Sequence, residues 1–469
     1  MLRTTVAALV VATGLTGASA QAFTPDQLAE RAVERRAVEA AIWGMPAVNY
    51  DLMLQEMLTK TEGKVNQVIY WGRPLDWRNQ TLTPNPDTLY FMAFLNTRDV
   101  GPIVIEVPPA GDGGSMNANF VNVWQMPLED AGLLGVDKGA GVKLLMLPPG
   151  YAQKVPDGYT PLRPDTWGSY ALFRANLKSH ADADVAAAIA YGKKVKVYPL
   201  SQAAKPVPNA FTDVKDVLFD STIKYDDSFF AGLDRIVQSE PWLDRDRAMI
   251  DPLRTLGIEK GKQFAPDAAT KKALGEGIGE AHAVLAARYD EGLPPFFEGT
   301  HWSFPAPPEL IKAAQAGFTD PETYPVDARG LAYHYAYIGI KRLGAGQFYL
   351  INIKDKNGQS YDGSRTYRLH VPPNVPIEQY WSLTDYDRET HSLIKNVDRA
   401  SRASNAADVK KNADGSIDLY VGPKPPAEQE SNWIPTDPAR KFELMFRLYG
   451  PKKEFFDKVW TLPDLEPAG

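Results

Sequence analysis

The chain switches between two hydrophobic periods. Thr24-Pro25-Asp26-Gln27 has the form of a capping box with proline at the first helical position, and predicts a helix to about Trp43. Gly44 and Pro46 interrupt that pattern, so a second helical stretch is expected to about Leu58. From Asn66 to Arg174 the period shortens to two. Leu89, Phe91, Ala93 and Leu95 alternate with Tyr90, Met92 and Phe94, and Ile103, Ile105 and Val107 alternate until two prolines stop them. "VKLLMLPPG" repeats that form. Short apolar runs closed by Pro and Gly predict an antiparallel sandwich.

From about Leu177 to Glu291 the helical period returns, in "ADADVAAAIAYGKK" and "APDAATKKALGEGIGEAHAVLAARYDEG". An irregular stretch, "PPFFEGTHWSFPAPPEL", leads to a second set of strands. Asn357-Gly358 and Asp414-Gly415 are type I′ hairpin signals. In "KFELMFRLYGP", Phe442, Leu444, Phe446 and Leu448 share one strand face, and Glu443, Met445, Arg447 and Tyr449 share the other. The expected fold class is mainly β with an α-helical insert (α+β). The expected divisions are a signal peptide (1–22), N-terminal helices (23–65), an N-terminal β-sandwich (66–176), a helical middle region (177–295) and a C-terminal β-sandwich (296–465).

Composition adds a compartment. Arg3 precedes an apolar stretch from about Val6 to Leu15, and Ala18-Ser19-Ala20 offers a small-residue cleavage site. This reads as a secretory signal cleaved near Ala20, too short for a membrane span, and predicts a secreted or periplasmic protein with a mature start near Gln21. No other long apolar run occurs, so no membrane span is expected. The chain has no cysteine, which excludes disulfides, thiolate metal sites and a Cys nucleophile. The net charge is −7 with Lys and Arg scattered, so nucleic acid is not an expected partner.

Several motifs agree in order with a known family. Asn85-Pro86-Asp87-Thr88-Leu89-Tyr90, Gly101-Pro102 and "VPP" resemble the bacterial family called domain of unknown function 1254. "QYWSLTDYDRETHSLIKN", "NADGSIDLYVG", "NWIP" and "FELMFRLYGP" resemble its C-terminal companion, domain of unknown function 1214. "LRTLGIEKGKQF" is similar to the region linking the two. One departure is Asn96, where the family pattern is expected to carry an acidic residue. The resemblance implies an Ig-like sandwich, a helical middle and a jelly-roll-like sandwich. It implies no mechanism.

Candidate chemistry comes from carboxylates and arginines. There is no G-x-S-x-G elbow, no G-x-G-x-x-G after a strand and no Walker A motif. The six histidines are isolated in sequence, so neither metal nor other cofactor is expected. Asp87 with Tyr90 and Asn85 forms one candidate cluster; its plain alternative is an Asx-turn held extended by Pro84 and Pro86. Asp387, beside Asp385, Arg388, Glu389 and His391, forms a second, with a solvated strand end as its alternative. Glu129-Asp130 beside Trp124 is a weaker third. Arg399, Arg402 and Arg447 could hold an anionic group, or pair with those acids. Trp124, Trp381 and Tyr386 could stack on a ligand, with a core position as their alternative. Two readings follow. One is a metal-independent acid/base hydrolase using Asp87, Tyr90 and Asp387 in a cleft between two sandwiches. The other is a non-catalytic binder of a glycan or small molecule through Asn85, Trp124, Trp381, Tyr386, Arg399 and Arg447. Oligomeric state is not legible.

Overall fold

The computed structural model describes residues 23–336, 339–342 and 346–468; the expected signal peptide lies outside them. Helix α1 (Pro25–Lys60) starts with the expected capping box, Thr24 and Gln27 each accepting from the other's backbone N–H. It does not break at Gly44 and Pro46 but runs through both. Ala37, Ala40 and the unbroken run from Ala41 to Asp51 are buried, so packing on every side outweighs an interior-proline penalty of about 3 kcal/mol. Leu233 packs against Gly44: a Cβ there would stand 2.9 Å from a Leu233 methyl.

The first sandwich is built from β1 (Val68–Tyr70), β2 (Thr88–Asn96), β3 (Ile103–Val107), β4 (Met116–Asn122), β5 (Pro127–Gly132), β6 (Val142–Met146), β7 (Thr160–Leu162) and β8 (Gly168–Asn176). Helix α2 (Asp182–Gly192) follows, and then β9 (Lys196–Pro199) and β10 (Phe211–Asp213) return to complete the sandwich. One sheet has the order β10-β1-β2-β8-β4-β5 and the other β9-β3-β6-β7. The sandwich therefore extends past residue 176, into the region expected to be helical. β9 and β10 are only four and three residues long, too short to show a period between the helices beside them.

The alternation read along β2 has a clear structural cause. Leu89, Phe91, Ala93 and Leu95 enter the core between the two sheets. Tyr90, Met92 and Phe94 face the other way, into a core shared with α1. Helices α3 (Ser228–Ser239) and α4 (Ala268–Glu291) pack on α1 and enlarge this helical layer.

Two more helices, α5 (Pro308–Gln315) and α6 (Val326–Tyr335), stand in the span expected to open the second sandwich. The proline-rich "PAPP" reads as irregular. Yet Pro308 is the first residue of α5, the helical position proline tolerates, and Glu309 to Gln315 are good helix formers. The C-terminal sandwich then comprises β11 (Gln347–Asn352), β12 (Tyr367–Val371), β13 (Trp381–Asp387), β14 (Ser401–Ala403), β15 (Ile417–Gly422), β16 (Trp433–Pro435), β17 (Phe442–Tyr449) and β18 (Glu466–Pro467). Its sheets run β11-β17-β13-β14 and β16-β15-β12-β18. The turns at Gly358 and Gly415 form. Only the glycine has a positive φ in each, +74° and +85°, so they are not the expected type I′ turns, which need two such residues.

β17 is buried on both faces. Phe442, Leu444, Phe446 and Leu448 fill the C-terminal sandwich, while Met445 joins Tyr386 in the core around α1 and the outer face of β2. This shared core holds the two sandwiches together and decides which side chains meet between them. Among the described residues no helix is long and apolar enough to cross a membrane.

Candidate ligand cavity between the sandwiches

A cavity of about 150 Å³ lies where β2 and β8 of the first sandwich meet β11 and β17 of the second, under α5 and α6. Strand register sets its polar end. Tyr90 on β2 stands directly opposite Arg174 on β8, so both side chains leave the same sheet face. Tyr349 on β11 stands opposite Arg447 on β17 in the same way. Thr83 and Asn85, from the loop before β2, complete this end.

Arg447 is 2 % exposed, and its hydrogen bonds go to neutral oxygens. It donates to Thr384 Oγ1 at 2.9 Å, to the Thr83 carbonyl at 3.1 Å and to the Tyr386 hydroxyl at 2.5 Å. Its Nε has no partner, and no described carboxylate lies within ion-pair distance. The ring of Tyr349 lies 5.3 Å from the guanidinium and that of Tyr386 5.7 Å. Arginine stays cationic in proteins, so a full positive charge is buried here with only dipoles and ring faces around it.

Two further buried arginines line the cavity. Arg174 donates to Asn119 and has its guanidinium 5.8 Å from the Tyr90 ring. Arg329, on α6, donates to the Tyr324 hydroxyl and the Trp124 carbonyl. The described lining residues include no carboxylate, imidazole or amine. Two non-glycine residues of the lining hold left-handed backbone, Thr83 at φ +40° and Gln125 at φ +53°. Such conformations persist only where the surroundings over-determine them, and for a β-branched threonine the strain is unusual.

A second polar cluster lies at the other end of β17's buried polar face. Glu443, fully buried, accepts from the Tyr289 hydroxyl at 2.8 Å, faces His391 Nδ1 at 2.9 Å and pairs with Arg388 at 3.3 Å. His334 packs on His391 with ring centroids 4.8 Å apart and bonds the Tyr225 hydroxyl. His282 stacks on Tyr225 at 4.0 Å. Burial, then the neighbouring imidazoles and Arg388, hold His334 well below the usual histidine range; burial, then His391, lowers His282. Three histidines isolated in sequence are thus neighbours in the fold. Their nitrogens do not converge on a single point: the one described group close enough to share an ion is Glu30, Glu34 and Glu276, on the outer faces of α1 and α4.

The residues singled out from sequence fall into three groups. Asn85, Tyr90 and Arg447 meet at the cavity, and Tyr386 holds Arg447 while donating to the Pro84 carbonyl at 2.8 Å. Asp87 is buried but outside the lining. Its backbone N–H closes an Asx-turn on Asn85 Oδ1 at 3.0 Å, and its Oδ1 accepts from Ser401 at 3.1 Å and faces His180 Nε2 at 3.3 Å. The bond to Asp87 raises the His180 pKa against the lowering effect of burial. Asp387 lies outside the cavity too, gripped by Arg440 and capping the N–H groups of Glu389 and Thr390. His391, expected at a solvated strand end, is instead buried against Glu443.

The remaining candidates have structural partners. Trp124, in the turn after β4, packs on Trp43 with centroids 4.6 Å apart, and Trp381, on β13, stacks on Phe446 at 5.1 Å. Arg399 donates to the carbonyls of Glu430 and Trp433, Arg402 pairs with Asp408, and Glu129 pairs with Arg342. Arg174, on β8, and Arg329, on α6, also line the cavity, and nothing in their local sequence sets them apart from the other arginines.

Two family profiles match this chain, both described as proteins of unknown function: DUF1254 over residues 65–199 and DUF1214 over residues 346–453. Among solved structures, the chain is similar to the VPA0106 protein from Vibrio parahaemolyticus at 17% identity and a TM-score of 0.55, covering 93% of this chain and 100% of that one. It is also similar to a putative uncharacterized protein from Burkholderia cenocepacia, at 12% identity and a TM-score of 0.42, covering 94% of each chain. The first likeness concerns the fold. Comparison with curated proteins gave no match.

Proposed function

This chain belongs to the family of paired DUF1254 and DUF1214 domains, and we propose that it binds a small organic anion in the cavity between its sandwiches. The observation that carries the reading is Arg447: a buried cation lining a cavity, with an unpartnered Nε and hydrogen-bond partners that are all neutral. A buried charge is costly unless paired, and an incoming carboxylate would supply the missing countercharge. Clefts between domains, apolar with a few placed polar groups, are common ligand sites.

The hydrolase reading has less support. Asp87 and Asp387 lie outside the cavity, and the described lining offers no carboxylate or imidazole to move a proton. Tyr349, on its wall, is raised above the usual phenol range by burial, so its hydroxyl stays protonated and cannot accept a proton near neutral pH.

The test is thermal melting against a panel of sodium salts of small carboxylates, with the matching amides and alcohols as controls. Carboxylates that bind should raise the melting temperature in a concentration-dependent way, and their amides should not. No shift with any anion, or equal shifts with the neutral controls, would sink the reading.

Export is part of the same proposal, supported by Arg3, the apolar stretch to Leu15 and Ala18-Ser19-Ala20. Mass spectrometry of the protein from its native host should find a mature chain beginning near Gln21 outside the cytoplasm. Recovery of the intact Met1 form from the cytoplasm would contradict it.

A further inference from the structure

We infer that the ligand is an amphiphilic carboxylate, a carboxyl head on an alkyl or aryl tail, bound head inward; the inference rests on the anion-binding reading above. The cavity is divided by chemistry. Its inner end is polar and fully covered: Asn85, Tyr90 and Arg447 are each 2 % exposed. Its outer wall is the segment from Phe304 to Phe318, which contains α5.

That wall is apolar and only half covered. Phe304, Leu310, Ile311, Ala314 and Phe318 line the cavity and are neither buried nor fully exposed. Leu310, Ile311 and Ala314 share one face of α5, at the spacing that puts residues three and four apart together. Glu309, Lys312 and Gln315 are exposed. The helix thus shows the cavity an apolar face whose burial is incomplete without an occupant. A head group alone would satisfy Arg447 and leave this face half wet. A hydrocarbon alone would cover the face and leave the buried cation unpaired. A ligand with both ends satisfies both.

The size of the tail effect follows from apolar transfer. Each buried methylene contributes about 0.8 kcal/mol, about fourfold in affinity. The experiment is a calorimetric titration of the wild-type protein with acetate, butyrate, hexanoate and octanoate, with 1-octanol and phenylacetate alongside. Affinity should rise about fourfold per methylene until the tail fills the cavity, phenylacetate should bind more tightly than acetate, and 1-octanol should bind far more weakly than octanoate. In Leu310→Ser and Ile311→Ser the gain in affinity per methylene should fall below that of the wild type.

Carboxylates that bind equally at every chain length would overturn the amphiphile inference and leave the anion reading standing. Octanol binding as tightly as octanoate would overturn both, as would the absence of binding by any acid. Should the serine variants fail to fold, the chain-length series on the wild type decides alone.

Discussion

Arg447→Met is expected to abolish carboxylate binding while leaving a folded protein. Truncating one partner of a buried, hydrogen-bonded charge pair costs about 2–5 kcal/mol, roughly 30- to several-thousand-fold in affinity. The unliganded fold should tolerate the change. Methionine fills similar space on a strand buried on both faces, and removing a buried cation that lacks a carboxylate partner also removes its desolvation cost. Arg447→Lys keeps the charge but loses the fork that bonds Thr384, Thr83 and Tyr386 together, so it should bind with intermediate affinity. The readout is the melting shift produced by octanoate. A methionine variant that gains as much from octanoate as the wild type would show that the anion sits elsewhere.

The second large effect concerns a group the cavity does not use. Asp385 on β13 is fully buried in the C-terminal sandwich, and neither of its oxygens has a partner. It alternates with Tyr386, so it leaves the opposite face of the strand, beside Leu383 and opposite Leu444. Burial pushes its pKa well above the usual carboxylate range. The sign of its pH dependence follows. The unfolded chain ionises this group near pH 4 while the folded chain keeps it neutral, so stability is lost as pH rises from there toward the raised folded value. Asp385→Asn cannot ionise. It should melt higher than wild type near neutral pH, because there the unfolded wild-type chain gains the free energy of ionising this carboxyl and the variant does not. The gap should close below about pH 4, where the wild-type carboxyl is neutral in both states. A variant that melts lower than wild type at neutral pH would mean that the carboxylate is charged and held.

What was legible in the sequence was local. The two-residue period of β17 assigned Arg447 and Met445 to the face opposite Phe446 before any contact was known, and that face proved to be the one between domains. The Asx-turn at Asn85 and Asp87 was legible for the same reason, since it spans two residues. The cavity was not. It draws Arg174 from β8, Arg329 from α6 and Arg447 from β17, and no spacing relates strands and helices joined only by tertiary packing. The histidine cluster was hidden likewise, with His282, His334 and His391 coming from three separate segments. Pro46 misled because propensity is a local quantity, and the burial that carries α1 through it is not.

The central claim is that a carboxylate completes the buried charge of Arg447. The most direct measurement is a crystal structure of the protein grown with octanoate. The carboxylate should lie within hydrogen-bonding distance of the Arg447 guanidinium, with the tail running along Leu310 and Ile311. Octanoate bound outside this cavity, or inside it with its carboxylate turned away from Arg447, would contradict the account.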